Sequence, residues 1–410
     1  MSTKQLSATI CIIGAGPAGA TTSIFLSKMG IDHVIVDAAT FPRSKVCGDG
    51  LDLKTVRMLN HIDPNIIQQE IVNHPHFAAS WGVRSITPKG KQRDFVYEPT
   101  IKNDLSCPFF VSKRLHFDAF LVNKIDARFA DFRQNTKITN IVKDGKLWHL
   151  QAVENGEALE INAKLLIGAD GDHSILLKYL GERKINRRHY AGSVRQYWQG
   201  IEGLHEKNLL ELYYPKDLPM SYFWIFPLPN GEANVGYGMV SELATKYNVN
   251  IRNKFKEMIA NDAAIAHRFK NATPIGEAEG WGLPLASVKR KLFGDGWLLT
   301  GDAASMISPA NGEGIGSGMV TSYVAAHFIQ RAVQANNFEA NMFANYDREV
   351  YKSMLGEIKE YNFYMNTNPG MKNWVYNKLL ADNFAVQAYY KYKMKGWINQ
   401  AYNDTIKVNL

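Results

Sequence analysis

Apolar and polar positions alternate along this chain in blocks with distinct periods. Ala8 to Ile13 is an unbroken, β-branched apolar run and predicts a buried strand. A glycine-rich turn follows, then a stretch that predicts a helix through about Met29, closed by Gly30. His33 to Asp37 predicts a second strand, so the block reads as a βαβ unit. Two more apolar runs each end in a turn with an acid: Leu165-Leu-Ile-Gly168-Ala-Asp170-Gly171 and Trp297-Leu-Leu-Thr-Gly301-Asp302. Ser221 to Pro227 has period two, which puts Tyr222, Trp224 and Phe226 on one face of a strand. Asn230-Gly231 predicts a hairpin, with Ala233 to Gly238 as the returning strand. Gly236 and Gly238 then lie beside the aromatic ridge and predict an open slot. Beyond about residue 335 the pattern is helical, and the chain has no internal repeat or low-complexity linker.

Composition narrows this reading. A length of 410 residues with 46% apolar content suits two closely joined domains with a large core. Residues 8 to 26 are apolar enough to raise the question of a signal peptide. Gly14, Gly16, Pro17 and Gly19 break that run at fingerprint spacing, and strand–turn–helix is the better description. No stretch of ~18 unbroken apolar residues predicts a transmembrane helix. Three cysteines, Cys11, Cys47 and Cys107, predict neither a disulfide framework nor a metal site and suit a reducing cytoplasm. The formal charge of +8 fits an anionic substrate or a membrane surface; no nucleic-acid motif accompanies it.

The chemistry begins at Gly14-Ala-Gly16-Pro-Ala18-Gly19. Gly14 makes the tight turn, Gly16 lets the backbone approach a pyrophosphate, and Gly19 lets helix pack on strand. The helix start then aims its free N–H groups at the phosphates. Asp37 can accept hydrogen bonds from ribose hydroxyls, which disfavours a 2′-phosphate there. Asp170 and Asp302, at the ends of later strands, can take further ribose or ribitol hydroxyls. Gly312-Glu-Gly314-Ile-Gly316-Ser-Gly318 predicts a helix start suited to negative charge on a reduced ring.

These three motifs, in this order, resemble the flavoprotein monooxygenase-type FAD fold of aromatic hydroxylases, flavin-dependent halogenases and geranylgeranyl reductases. The resemblance covers roughly residues 8 to 330. It implies FAD contacts at Gly14, Gly16, Ala18, Gly19, Asp37, Arg43, Cys47, Gly48, Arg114, Asp170, Gly171, Gly301, Asp302, Pro309, Gly312, Gly314 and Ile315. Arg114 enters through Ser112-Lys-Arg114-Leu-His-Phe-Asp118, which resembles the segment whose arginine lies near the cofactor; a surface helix cation is the plain alternative. The expected architecture is α/β. A discontinuous Rossmann-like FAD-binding domain would hold residues 1–80, 108–182 and 285–335. An interleaved antiparallel-sheet substrate domain would hold 81–107 and 183–284, and a C-terminal helical segment 336–410.

Tyr222-x-Trp224-x-Phe226-Pro227 followed by Gly236-x-Gly238 resembles the substrate-domain signature of the geranylgeranyl reductase family. Halogenases carry Trp-x-Trp-x-Ile-Pro there, and hydroxylases often carry a histidine where this chain has Ser305. Lys45-Val-Cys47-Gly48-Asp49-Gly50 resembles the reductase segment Lys-x-Cys-Gly-Gly-Gly, with Asp49 replacing a glycine. The resemblance implies reduction of isolated double bonds in a prenyl lipid or quinone by hydride from reduced flavin. Tyr222, Trp224 and Phe226 would line the apolar pocket, and Cys47 would lie near the reacting end as a proton donor or an inert filler. The alternatives are a monooxygenase acting on an apolar or aromatic substrate, and a flavin-binding protein without turnover. The family often follows Asp-Gly with Ser and then Arg. Here Leu176-Leu177-Lys178 follows, which leaves the electron donor open between NAD(P)H and a ferredoxin-like or quinol-linked source. Tyr361, Phe363, Tyr364, Trp374, Tyr376, Tyr389, Tyr390, Tyr392 and Trp397, with lysines among them, suit a helical lid or a peripheral membrane surface.

Overall fold

A computed structural model describes residues 4–98, 106–368, 370–371 and 384–410. Burial of the apolar runs organises them into two large sheets and one small one. The first sheet has eight strands. Its centre is parallel: Glu157–Gly168 and His33–Val36 flank Lys4–Ile13, with Trp297–Leu299 and Ala130–Arg133 beyond them. Leu147–Glu154 and Thr136–Asp144 form an antiparallel extension. The first strand starts at Lys4, earlier than the apolar run implies. Its early residues alternate in exposure because they pair with Glu157–Gly168 at the sheet's open end.

The carboxyl ends of the parallel strands finish level with one another. Gly14 N donates to Val36 O at 2.8 Å, Ala169 N to Ile13 O at 2.9 Å, and Thr300 N to Gly168 O at 2.9 Å. The three turns expected to bind a ligand therefore open at one sheet edge. Pro17–Lys28 and the long helix Ile315–Gln334 pack together, and small residues set their approach: a Cβ on Gly318 would lie 3.7 Å from that of Ala18.

The second sheet has seven strands and is antiparallel except where Leu210–Tyr213 pairs with Gly82–Ile86. Ser221–Pro227 and Glu232–Val240 form its central hairpin. Asn230 and Gly231 turn it with φ of 62° and 73°, as the Asn-Gly pair demands. One face of Ser221–Pro227 sends Phe223 and Ile225, both 0% exposed, into a core with Tyr237 and Phe255. The other face sends Tyr222, Trp224 and Phe226 toward the first sheet. The small third sheet has the order Gly50–Leu51, Phe109–Val111, Ala78–Ser80.

The C-terminal pattern resolves into Tyr346–Lys352, Leu355–Asn366 and Phe384–Asn403. Tyr361 is buried, and its hydroxyl donates to Arg188 O. Phe363, Tyr392 and Trp397 are exposed. Trp374 and Tyr376 lie outside the described residues, as do the side chains of Tyr389 and Tyr390. Among the described residues no helix is long and apolar enough to cross a membrane.

Candidate active site

One cavity of about 830 Å³ runs from the glycine turns of the first sheet to the aromatic face of the second. Every predicted site residue except Gly19 lines it. Gly19 sits behind the turn, where a Cβ would fall 1.8 Å from Gly14 O; that is the helix–strand approach its position predicts. Gly14 has φ of 97°, and a Cβ there would lie 2.6 Å from Ala169 O, so both backbone freedom and close approach require glycine.

The cradle is shaped for a dinucleotide. A Cβ on Gly16 would meet only the guanidinium groups of Arg43 and Arg114, at 3.6 and 3.9 Å. The helix N-terminus thus has open, cationic space above it, without a side-chain cap or an acid in its first turn. Arg114 is buried, unlike a surface cation, on the first turn of Arg114–Val122. Buried Asp118 holds it through two bonds of 2.5 and 2.7 Å and also pairs with Arg43 at 2.8 Å. Burial works against the Arg114 charge, but Asp118 more than offsets it and holds the guanidinium above its usual range. Asp37 receives Ala15 N at 2.7 Å and Ala39 N at 2.8 Å, so it also closes the turn it follows.

Asp170 supplies the sharpest test of fit. Its Oδ2 accepts from Ile175 N at 2.7 Å, while its Oδ1 is buried with no partner. Burial raises this acid to about 6. A buried acceptor left open beside the cradle calls for a hydroxyl donor, which a ribitol or ribose supplies. The donor set therefore fits FAD.

Asp302 is also pushed up by burial, with Lys45 and Arg114 opposing. Lys45, absent from the predicted set, lines the cavity with its ammonium 3.3 Å from the Trp281 ring centroid. Burial and then Arg114 lower it to about 8. Its place in the Arg43–Cys47 segment was a usable signal; Trp281, seen only once the sheet closes, had none. Glu313 also lines the cavity. It caps the helix Ile315–Gln334 by accepting from Gly316 N and from Ser317 Oγ at 2.8 Å. Burial, reinforced by Asp52, pushes it up to about 8.

The second sheet closes the far wall. Tyr222 OH donates to Asn311 O at 2.6 Å, joining the aromatic ridge to the loop before the long helix. The predicted slot at the glycines needs correction. A Cβ on Gly236 would lie 2.2 Å from Trp224 Cζ2, so the indole itself fills that space. The missing side chain seats the ring, and the open volume lies beyond it, among Tyr222, Trp224, Phe226 and Leu285. Cys47 lines the same region; Asp49 N donates to its Sγ at 3.4 Å, and burial pushes the thiol up, so it is protonated near neutral pH.

Comparison with known proteins agrees with this geometry. Residues 7–334 match the FAD binding domain family. A digeranylgeranylglycerophospholipid reductase of Methanocaldococcus jannaschii is 28% identical over 360 residues, covering 85% of each chain. A menaquinone reductase of Mycobacterium tuberculosis is 27% identical over 341 residues, covering 79% of this chain and 76% of its own. Among solved structures, a geranylgeranyl bacteriochlorophyll reductase-like protein of Thermoplasma acidophilum superposes with a TM-score of 0.78 at 19% identity, over 98% of this chain and all of its own. The buried cradle, the open oxygen of its acid and the family match over most of the chain lead to one conclusion: this chain belongs to the FAD binding domain family, and FAD is its cofactor.

Proposed function

We propose that this protein is an FAD-dependent reductase that saturates isolated carbon–carbon double bonds in the polyprenyl chain of a lipid or quinone. One observation carries the reading: the FAD cradle and the Tyr222–Trp224–Phe226 wall share a single cavity. The reductases named above support the substrate class. In this reading residues 1–80, 108–182 and 285–335 form the cofactor domain, 81–107 and 183–284 the substrate domain, and 336–410 a helical cover.

The Gly14–Ala18 turn, Arg43 and Arg114 would hold the pyrophosphate of FAD, Asp37 and Asp170 its sugar hydroxyls, and Asp302 and Gly312–Ile315 its ring end. Bound reduced FAD supplies the hydride. The protein must then do three things for an unpolarised alkene. Trp224 and Phe226 hold the chain in one orientation, which sets the geometry of approach. The apolar wall, with Tyr364 from Leu355–Asn366 at its edge, excludes water. Cys47 supplies a proton to the second carbon, because its thiol is protonated and Arg114 favours the thiolate left behind.

Mass spectrometry of a prenyl lipid and a prenyl quinone, each incubated with anaerobic holoenzyme and a chemical reductant, tests this. Mass gains in steps of two hydrogens are expected. A gain of one oxygen under air would instead assign the protein to the monooxygenase branch, and no change with either substrate would remove the prenyl assignment.

A further inference from the structure

Asp49 stands where the reductase segment carries a glycine, and the structure gives it a task. Its φ is 64°, a region a glycine enters freely and an aspartate enters at some cost. It is fully buried and lines the cavity. Its carboxylate takes donors from three elements. Oδ2 accepts from Tyr197 OH at 2.7 Å and from Asn234 Nδ2 at 2.8 Å, both on the second sheet. Oδ1 accepts from Arg114 N at 3.3 Å, on the cradle side.

Asn234 carries the connection onward. It is buried; its Nδ2 also donates to Cys47 O at 2.8 Å, and its Oδ1 accepts from Trp224 Nε1 at 2.9 Å. Both amide ends are committed. A flipped amide would set Nδ2 against the indole N–H and Oδ1 against both the carboxylate and the Cys47 carbonyl, three like-with-like contacts. The carboxylate, with the Cys47 carbonyl beside it, therefore selects the amide orientation, and the amide selects the indole rotamer. Trp224 in turn packs over Gly48 and Gly236; a Cβ on Gly48 would meet its ring and that of Phe226 at 3.7 Å. The chain of contacts runs from the cofactor-side loop to the face that meets the substrate.

We propose that Asp49 is a positioning residue: through Asn234 it fixes the Trp224 indole against the cavity and so sets which double bonds of a long apolar chain are presented for reduction. This rests on the reductase reading above. The groups that face Asp49 are Tyr197 and Arg195 of Tyr190–Gln199, Arg114 of Arg114–Val122, Asn234 of the hairpin, and Cys47 on its own loop.

The test compares wild-type holoenzyme with Asp49→Gly and Asp49→Asn. Glycine removes the carboxylate while relieving the backbone, so the variant is expected to fold and retain FAD. Asparagine can place its amide oxygen where Oδ2 stood and keep the Asn234 bond. Two measurements are made on each protein. The first is the Trp224 indole N–H resonance, assigned by its loss in Trp224→Phe. The second is the distribution of partly and fully reduced prenyl products. Asp49→Gly should shift the resonance, lower kcat/KM about tenfold and enrich partly reduced products. Asp49→Asn should restore the resonance and most of the wild-type distribution. An unshifted resonance in Asp49→Gly overturns the proposal whatever the activity, as does a shifted resonance with unchanged products. A wild type that reduces no prenyl chain would sink the reductase reading instead, and the resonance would still decide whether Asp49 holds the indole.

Discussion

At position 236 a single hydrogen decides what the cavity wall can be. An added methyl would lie 2.2 Å from Trp224 Cζ2 and 2.4 Å from Val194 O, against a ring and a backbone that cannot both yield. Gly236→Ala should cost about 1–3 kcal/mol of stability and displace the indole; thermal unfolding and turnover of the same preparation would show both losses. Cys47→Ala is milder in structure and harsher in chemistry. It should keep FAD and KM while turnover falls ~100-fold, the scale of a lost proton donor. Unchanged turnover would reduce Cys47 to a filler of apolar space. Asp49 makes a pH prediction. Burial raises it from 3.8 to about 6, opposed by Asn234 and Tyr197. Between those values the folded state binds more protons than the unfolded one. Its contribution to stability is thus full below pH 3.8 and is lost as pH rises through about 6. Asp49→Asn should flatten that part of the curve, read as denaturant midpoints at intervals across the window; parallel curves would place the dependence elsewhere.

The elements show how local pattern and distant pairing divide the work. The glycine cradle was legible because its geometry is local: strand, turn and helix start are contiguous, and the glycine spacing follows from sterics. The Ser221–Val240 hairpin was legible for the same reason, since Asn-Gly supplies two residues with positive φ. Arg114 was half legible. Its motif pointed to the cofactor, but burial against Asp118 one helical turn away decides between that role and a surface cation. A different element was opaque. Buried Glu211 of Leu210–Tyr213 pairs with Arg84 of Gly82–Ile86 at 3.3 Å and with Arg268 of the turn Ala266–Phe269. No local pattern announces that triad, because its members lie far apart in sequence. Arg84 also pairs with Asp94 at 2.8 Å, so Glu211→Gln leaves chiefly the buried Arg268 short of charge and should lower stability by about 3–5 kcal/mol, measured by denaturant unfolding. The helix Leu355–Asn366 reaches the cavity only through Tyr364. Tyr364→Ala should raise KM for a long apolar substrate several-fold with kcat held within about twofold, a split that steady-state kinetics would read.

Across the whole molecule, the two large sheets meet at the cavity, and side chains from one complete the loops of the other. Tyr222 holds the loop at Asn311, Asn234 holds Cys47, and Tyr197 holds Asp49. The C-terminal helix Phe384–Asn403 and the residues after it brace the helix Leu53–Ile62 and the loop at Cys107. Tyr402 OH donates to Cys107 O at 2.9 Å, and Ile406 N to His61 Nε2 at 2.9 Å. The amino-acid sequence by itself determined the cradle, the acids at the strand ends, the aromatic ridge and the hairpin that presents it. Each follows from side-chain period or from backbone sterics within a few residues, so no distant contact is needed to read it. Only the tertiary structure decided that the ridge faces the cradle, that Gly236 seats the indole instead of leaving a slot, that Lys45 and Trp281 share a wall, and that Asn234 bonds both Asp49 and Trp224. Those outcomes depend on which faces of two sheets bury against each other, and burial is a property of the assembled chain.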